Sequence, residues 1–153
     1  MPLTIGEQMP SIEGAGDWLN GYPEKDATKG FPILIQFWAI SCPVCKINLP
    51  ALRGFVEAYQ ASDLKLISIH MPRMEEDTDI KGVKAVVGEL GLTGPCAIDN
   101  QYVLGDRFQT GGSWPYYFLF DADGKLRSWA AGLTGIKMAE NSLKRLLGLG
   151  EHK

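Results

Sequence analysis

A CxxC motif, Cys42 to Cys45, stands between an apolar run and a segment with helical spacing, and it restricts both the fold and the chemistry of the chain. The run before it, residues 31–39, predicts a buried strand. The segment after it carries apolar residues at helical spacing as far as Tyr59. Two thiols at this spacing can cycle between a dithiol and a disulfide. Their position at a strand-to-helix junction also influences the ionisation of the first thiol.

Cys42 is predicted to be the N-cap of this helix, where unpaired N–H groups and the positive end of the helix dipole favour a thiolate. Pro43 suits the first helical position, because its ring fixes φ and its missing N–H has no helical partner there. We therefore predict that Cys42 is the catalytic nucleophile. Cys45, almost one turn later, is expected to be less exposed and to resolve the mixed disulfide between Cys42 and a substrate.

A zinc site or a static disulfide is the alternative interpretation of this cysteine pair. Structural zinc normally takes four protein ligands, and the chain offers only Cys96 and two histidines elsewhere, without ligand spacing. We therefore expect no metal site and no cofactor.

Length and charge favour one domain that binds neither nucleic acid nor membranes. A chain of 153 residues with 45% hydrophobic side chains predicts a single domain, residues 1–153, and we expect a monomer. The net charge of −3 and the lack of a basic cluster argue against nucleic acid and anionic lipid as partners. No positively charged start followed by an apolar stretch is visible, so we expect a cytoplasmic protein, in which disulfides are usually catalytic or transient.

The order of predicted elements indicates an α/β fold with a central mixed sheet and helices on both faces. Further strands are predicted near 64–70, 96–98, 116–120 and 126–130, and further helices near 80–90, up to 108 and 136–147. Trp18 and Leu19, isolated in a polar stretch, are expected to close over one sheet edge. Since parallel strands end at one edge, Cys42 and His70 should share a rim with Trp114-Pro115.

Phe37-Trp38-Ala39 precedes the CxxC motif, Pro50 lies five residues after its second cysteine, and Trp114-Pro115 precedes a late strand. Together these motifs resemble the thioredoxin superfamily. An inserted strand and helix, with an N-terminal extension containing Gly6-Glu7-x-Met9-Pro10, are similar to the TlpA/ResA branch of thiol-disulfide oxidoreductases. Within it, His70-Met71-Pro72-Arg73 resembles small cytosolic YkuV-type proteins of Bacillus, which are thought to act as reductants.

The resemblance implies a thioredoxin-like enzyme that reduces protein disulfides and is recharged by an upstream dithiol electron donor. It implies that Pro115 is a cis-proline facing the disulfide, and that the Trp114 backbone pairs with an extended substrate segment. The alternative is a trans proline that starts an edge strand. Trp38 is expected to line the floor of the site.

Two departures from the family pattern concern proton transfer at Cys45. Thioredoxin-like proteins often bury an acid on the strand before the motif, and here that position is Gln36. Many TlpA/ResA relatives carry Glu three residues after the second cysteine, and here that position is Asn48. We therefore expect a slower resolving step than in a protein that has the acid.

Two other functions fit parts of the sequence. A peroxiredoxin-like peroxidase normally has Thr or Ser three residues before its reactive cysteine, and here Ala39 occupies that place. A copper-binding chaperone could use Cys42, Cys45 and His70 as soft ligands, although such chaperones usually separate the cysteines by three residues.

The remaining polar or reactive residues have simpler interpretations. His70 is expected to be a half-exposed loop residue rather than a ligand or base. Cys96 is expected to be a small core residue. The acidic run from Glu75 to Asp79 is expected to be a solvated helix start.

Overall fold

A computed structural model describes residues 3–23 and 30–148. The strands are β1 (Asp17–Leu19), β2 (Ile33–Trp38), β3 (Lys65–His70), β4 (Cys96–Ile98), β5 (Tyr116–Phe120) and β6 (Leu126–Ala131). The α-helices are α1 (Pro43–Ala58), α2 (Ile80–Glu89), α3 (Val103–Phe108) and α4 (Gly135–Leu146), and short 3-10 helices cover Gln60–Ser62 and Glu75–Thr78.

The strands form one mixed sheet in the order β1-β4-β3-β2-β5-β6. The central strands β2, β3 and β4 are parallel, whereas β5 is antiparallel to β2 and pairs with β6 as a hairpin. Trp18 and Leu19 belong to β1, which pairs antiparallel with β4, so this segment extends the sheet edge instead of only covering it. The predicted α/β class with a central mixed sheet is confirmed.

Helices cover both faces of the sheet, because successive side chains of a strand point to opposite faces. In β2, Leu34 and Trp38 pack with the apolar sides of α1, α2 and α4, while Ile35 and Phe37 pack with α3. All six residues of β2 are buried. This explains why five of its six residues are apolar instead of alternating with polar ones.

The carboxyl ends of β2 and β3 lie side by side and define the edge that carries the site. Trp38 is the register partner of His70, and the Met71 N–H donates to the Trp38 carbonyl at 2.8 Å. The chain leaves β2 here and enters α1 within a few residues. Pro50 lies inside α1, which nevertheless continues to Ala58, as the apolar spacing predicts.

Among the residues that the structure describes, no helix has the length and apolar character needed to cross a bilayer.

Candidate active site

Cys42 is the N-cap of α1, as predicted, and Pro43 is its first helical residue. The backbone of Cys42 is extended, with φ −90° and ψ 109°. This conformation turns its side chain back over the first helical turn, where the Cys45 N–H donates to Cys42 Sγ at 3.1 Å. The sulfur therefore receives one of the N–H groups that have no partner within the helix. Both residues are free thiols in this structure.

Both cysteines are buried, and the expectation that Cys45 is less exposed than Cys42 was wrong: their exposed fractions are 6% and 3%. Burial raises the pKa of the Cys45 thiol well above its usual range, and its interaction with the Cys42 side chain adds to this shift. The positive charge of Arg73 opposes the shift. The Cys45 thiol is therefore protonated at neutral pH, and nearby groups such as Arg73 must stabilise its thiolate for it to ionise.

The Trp114-Pro115 peptide bond is cis, as the resemblance implies, so the alternative of a trans proline was wrong. Pro115 immediately precedes β5, and Tyr116 is the register partner of Phe37 in β2. The Trp114-Pro115 segment thus lies at the sheet edge where the chain leaves β2 toward Cys42. The half-buried Trp114 indole is held in place because its Nε1–H donates to the Met71 carbonyl at 2.7 Å.

Trp38 is buried in the core cluster that contains both cysteines of the motif. Its ring meets the His70 imidazole edge-on, with the ring centroids 5.0 Å apart. Only 3% of Trp38 is exposed. It therefore supports the site from beneath and offers little surface to a substrate.

His70 is fully buried, so the expectation of a half-exposed loop residue was wrong. It is the last residue of β3, and strands on both sides pair with it. Its Nε2 accepts a hydrogen bond from the Ile40 N–H at 3.1 Å. Burial lowers the pKa of His70 to about 4, although the charge of Asp77 opposes this shift. His70 is therefore a neutral residue that fixes the backbone two residues before Cys42.

This use of His70 weakens the copper alternative. Within residues 3–23 and 30–148, no three His, Cys, Asp or Glu side chains are grouped so that they could hold a metal ion. Cys42, Cys45 and His70 therefore do not form a ligand set as they are placed in this structure.

Neutral side chains occupy the two positions at which the family resemblance led us to look for an acid. Gln36 is buried, and its Nε2 donates to Ser68 Oγ at 3.0 Å. Asn48 is buried on α1, and its Nδ2 donates to Tyr117 Oη at 3.0 Å and to the Gly132 carbonyl at 3.1 Å.

Tyr117 brings a phenol into the core beside the motif, which sequence reasoning missed. Burial raises the pKa of Tyr117 above its usual range, and a negative charge on Cys45 or Cys42 raises it further, while the Asn48 hydrogen bond opposes the shift. The phenol is therefore neutral at every ordinary pH. In the sequence it is one of five consecutive apolar or aromatic residues of β5, a pattern that predicts only burial.

A second missed cluster joins the acidic run to the residue before the nucleophile. Asp77 is 2% exposed, so the expectation of a solvated helix start was wrong for this residue. Its carboxylate accepts from Ser41 Oγ at 2.6 Å and from the Arg73 N–H at 2.9 Å. The Arg73 guanidinium in turn donates to the Ser41 carbonyl. Arg73 is thereby fixed beside the motif, through contacts between segments that are 32 to 36 residues apart.

Cys96 is a fully buried core residue, as predicted. Burial raises the pKa of the Cys96 thiol to about 11, so at neutral pH it remains protonated and weakly reactive.

Residues 5–129 match the model of the AhpC/TSA family. The chain is 36% identical over 146 residues to the thiol-disulfide oxidoreductase YkuV of Bacillus subtilis (strain 168), covering 95% of this chain and 97% of that protein. It is 30% identical over 142 residues to the protein DipZ of Mycobacterium tuberculosis, covering 90% of this chain but only 20% of DipZ.

The fold also matches a solved structure over nearly its whole length. The solution structure of a thioredoxin-like protein in the oxidized form superposes with a TM-score of 0.84 and 35% sequence identity. The match covers 97% of this chain and 100% of that one. The resemblance to thioredoxin-like oxidoreductases that the motifs indicate is thus confirmed.

Proposed function

The chain belongs to the AhpC/TSA family and is a thiol-disulfide oxidoreductase, and we propose that it reduces protein disulfides through Cys42 and Cys45. The hydrogen bond from the Cys45 N–H to Cys42 Sγ carries this proposal. It provides the negative charge of a Cys42 thiolate with a backbone donor at the helix N-terminus. The same hydrogen bond joins the two residues of the motif within the first turn of α1, as the proposed role of Cys45 as resolving cysteine requires.

The proposed reaction has two exchanges. The Cys42 thiolate attacks one sulfur of the substrate disulfide, and the other substrate sulfur leaves as a thiolate. The Cys45 thiolate then attacks Cys42 Sγ, which forms the Cys42–Cys45 disulfide and releases the second substrate thiolate. The substrate gains two electrons, the enzyme pair loses two, and solvent protonates the released thiolates.

We propose that Trp114 and Pro115 bind the substrate segment, with Trp38 supporting the site. Their support is the register of β5 against β2, in which Tyr116 pairs with Phe37, so that Trp114 and Pro115 lie at the end of the sheet from which the motif emerges. An extended chain docking there would pair as strands pair. The half-buried Trp114 indole offers an apolar surface beside it.

The relatives and the composition bear on where this activity takes place and on its partners. We propose a single-domain, monomeric reductant of the cytoplasm that receives electrons from an upstream dithiol donor. The similar protein YkuV is a small thiol-disulfide oxidoreductase of matching length. The net charge of −3 supports protein substrates over nucleic acid or lipid surfaces.

Trapping of the mixed disulfide tests the proposed roles. Cys45→Ser should accumulate a covalent adduct with a peptide disulfide, visible as an added mass that dithiothreitol removes, whereas Cys42→Ser should form none. Cys96→Ser is the matched control and should turn over like the unaltered enzyme, since Cys96 is fully buried away from solvent. An adduct on Cys42→Ser but not on Cys45→Ser would contradict the assignment.

A further inference from the structure

Arg73 presents an exposed guanidinium group next to the catalytic motif. Its Nη1 donates to the carbonyl of Ser41, the residue before Cys42, and lies 3.4 Å from Ser41 Oγ. Covalent geometry places Cys42 Sγ at most roughly 6 Å from that carbonyl oxygen, and a hydrogen-bonded donor lies about 3 Å from it. The guanidinium is therefore within roughly 9 Å of the nucleophilic sulfur.

Hydrogen bonds also fix the segment that carries Arg73. The Met71 carbonyl accepts from Trp114 Nε1 at 2.7 Å, and the Pro72 carbonyl accepts from the Tyr102 hydroxyl at 2.9 Å. The segment therefore links the Trp114 side of the site to the motif. Arg73 lies at the same rim as the residues proposed to bind the substrate.

Asp77 holds the backbone of Arg73 but leaves its guanidinium unpaired. Asp77 Oδ2 accepts from the Arg73 N–H at 2.9 Å and from Ser41 Oγ at 2.6 Å. In the part of the chain that the structure describes, no carboxylate lies within the 4.0 Å of an ion pair with Arg73, those of the exposed Glu75 and Glu76 included. In the same part of the chain, its Nε and Nη2 donate to no acceptor.

The free edge of the guanidinium determines which chemical group it can bind. The N–H groups of Nε and Nη2 are parallel, and a carboxylate can accept one hydrogen bond from each. Because Nη1 and the backbone are already held, little side-chain freedom is lost when this edge binds. The two Cα atoms of a disulfide lie about 5.5 Å apart, so a side chain next to the attacked cysteine is within reach of a guanidinium this close to Cys42.

We infer that Arg73 is a specificity-determining residue that binds a carboxylate next to the cysteine attacked by Cys42, so that the enzyme prefers protein disulfides flanked by Asp or Glu. This inference rests on the proposed function. The carboxylate stays ionised and bound while the exchange occurs. The Cys42 thiolate forms a bond to the nearer substrate sulfur, and the substrate S–S bond breaks with its electron pair on the other sulfur.

Trapping in a Cys45→Ser background measures this first exchange alone. Because Cys45 is absent, an effect of Arg73 on the resolving step does not enter the result. The substrates are two disulfide-linked peptide homodimers, each chain with one cysteine that is flanked on both sides by Glu in one peptide and by Gln in the other. The second-order rate of adduct formation is measured by mass spectrometry with each peptide.

The ratio of the Glu rate to the Gln rate should fall about fivefold when Arg73→Gln is added to Cys45→Ser, as for an exposed ion pair of good bidentate geometry. The change in this ratio cancels the intrinsic difference in reactivity between the peptides. A merely structural role of Arg73 would change both rates equally. An unchanged ratio in Arg73→Gln would overturn the inference.

Lys46→Gln in the same background is the matched control. Lys46 carries the same charge one residue after the motif, but its side chain makes no hydrogen bond or ion pair with any residue that the structure describes. The ratio should therefore stay as in Cys45→Ser alone, and a fall equal to that in Arg73→Gln would also overturn the inference. If Cys45→Ser forms no adduct with either peptide, the proposed function itself fails, and this result distinguishes the two failures.

Discussion

His70 predicts how the stability of this protein depends on pH. Burial lowers its pKa to about 4 in the folded state, compared with 6.5 in the unfolded chain. Between these values the unfolded state binds a proton that the folded state does not, so stability is present above pH 6.5 and is lost as the pH falls toward 4. The two pKa values give a loss of about 2 kcal/mol between pH 8 and pH 5 from this residue alone.

Comparison with His70→Gln isolates this contribution. The glutamine amide oxygen can accept the Ile40 N–H that His70 Nε2 accepts, but it does not titrate. Urea unfolding followed by circular dichroism, with a phosphine reductant present throughout, should be measured at pH 5 and pH 8 for both proteins. Carboxyl groups affect both proteins equally. The wild type should therefore lose about 2 kcal/mol more than His70→Gln, and equal losses would refute the assignment of His70 as a buried neutral residue.

Two further substitutions test the surroundings of the motif. Arg73→Gln should raise the pKa of Cys45 and slow the resolving step about twofold at pH 7, whereas Lys84→Gln, which removes the same charge from the exposed side of α2, should not. The single-turnover rate at which the mixed disulfide is resolved measures both variants, and equal rates would contradict a local effect. Gly135→Ala should destabilise the fold by about 1–3 kcal/mol, because the added methyl group meets the Tyr117 ring. An unchanged urea midpoint would show that the ring can move away.

Local patterns in the sequence predicted the elements that hold the catalytic thiols. The largely apolar run of β2 indicated a buried strand, and the structure buries all six of its residues, Gln36 included. The cysteine followed by Pro43 indicated a helix start at Cys42. These predictions succeeded because the sequence signals for a buried strand and for a helix start are each carried by residues that are adjacent in the chain.

Contacts between distant segments were the part that the sequence did not reveal. Asp77 lies in an acidic run that is typical of a solvated helix start, yet its carboxylate is buried against Ser41. His70 has the polar character of a loop residue, but strands on both sides enclose it. Tyr117 was concealed within an apolar strand. In each case the partner lies at least 30 residues away, beyond the range of periodicity or capping signals.

The equilibrium reduction potential of the Cys42/Cys45 pair, measured against a defined dithiol buffer, tests the proposed reductase activity most directly. The proposal predicts a value at or below about −220 mV, the upper end of the cytosolic glutathione poise, so that the pair can pass electrons to protein disulfides. A value near −120 mV, which is roughly that of strong disulfide-forming oxidants, would contradict both the reductant role and the cytoplasmic setting.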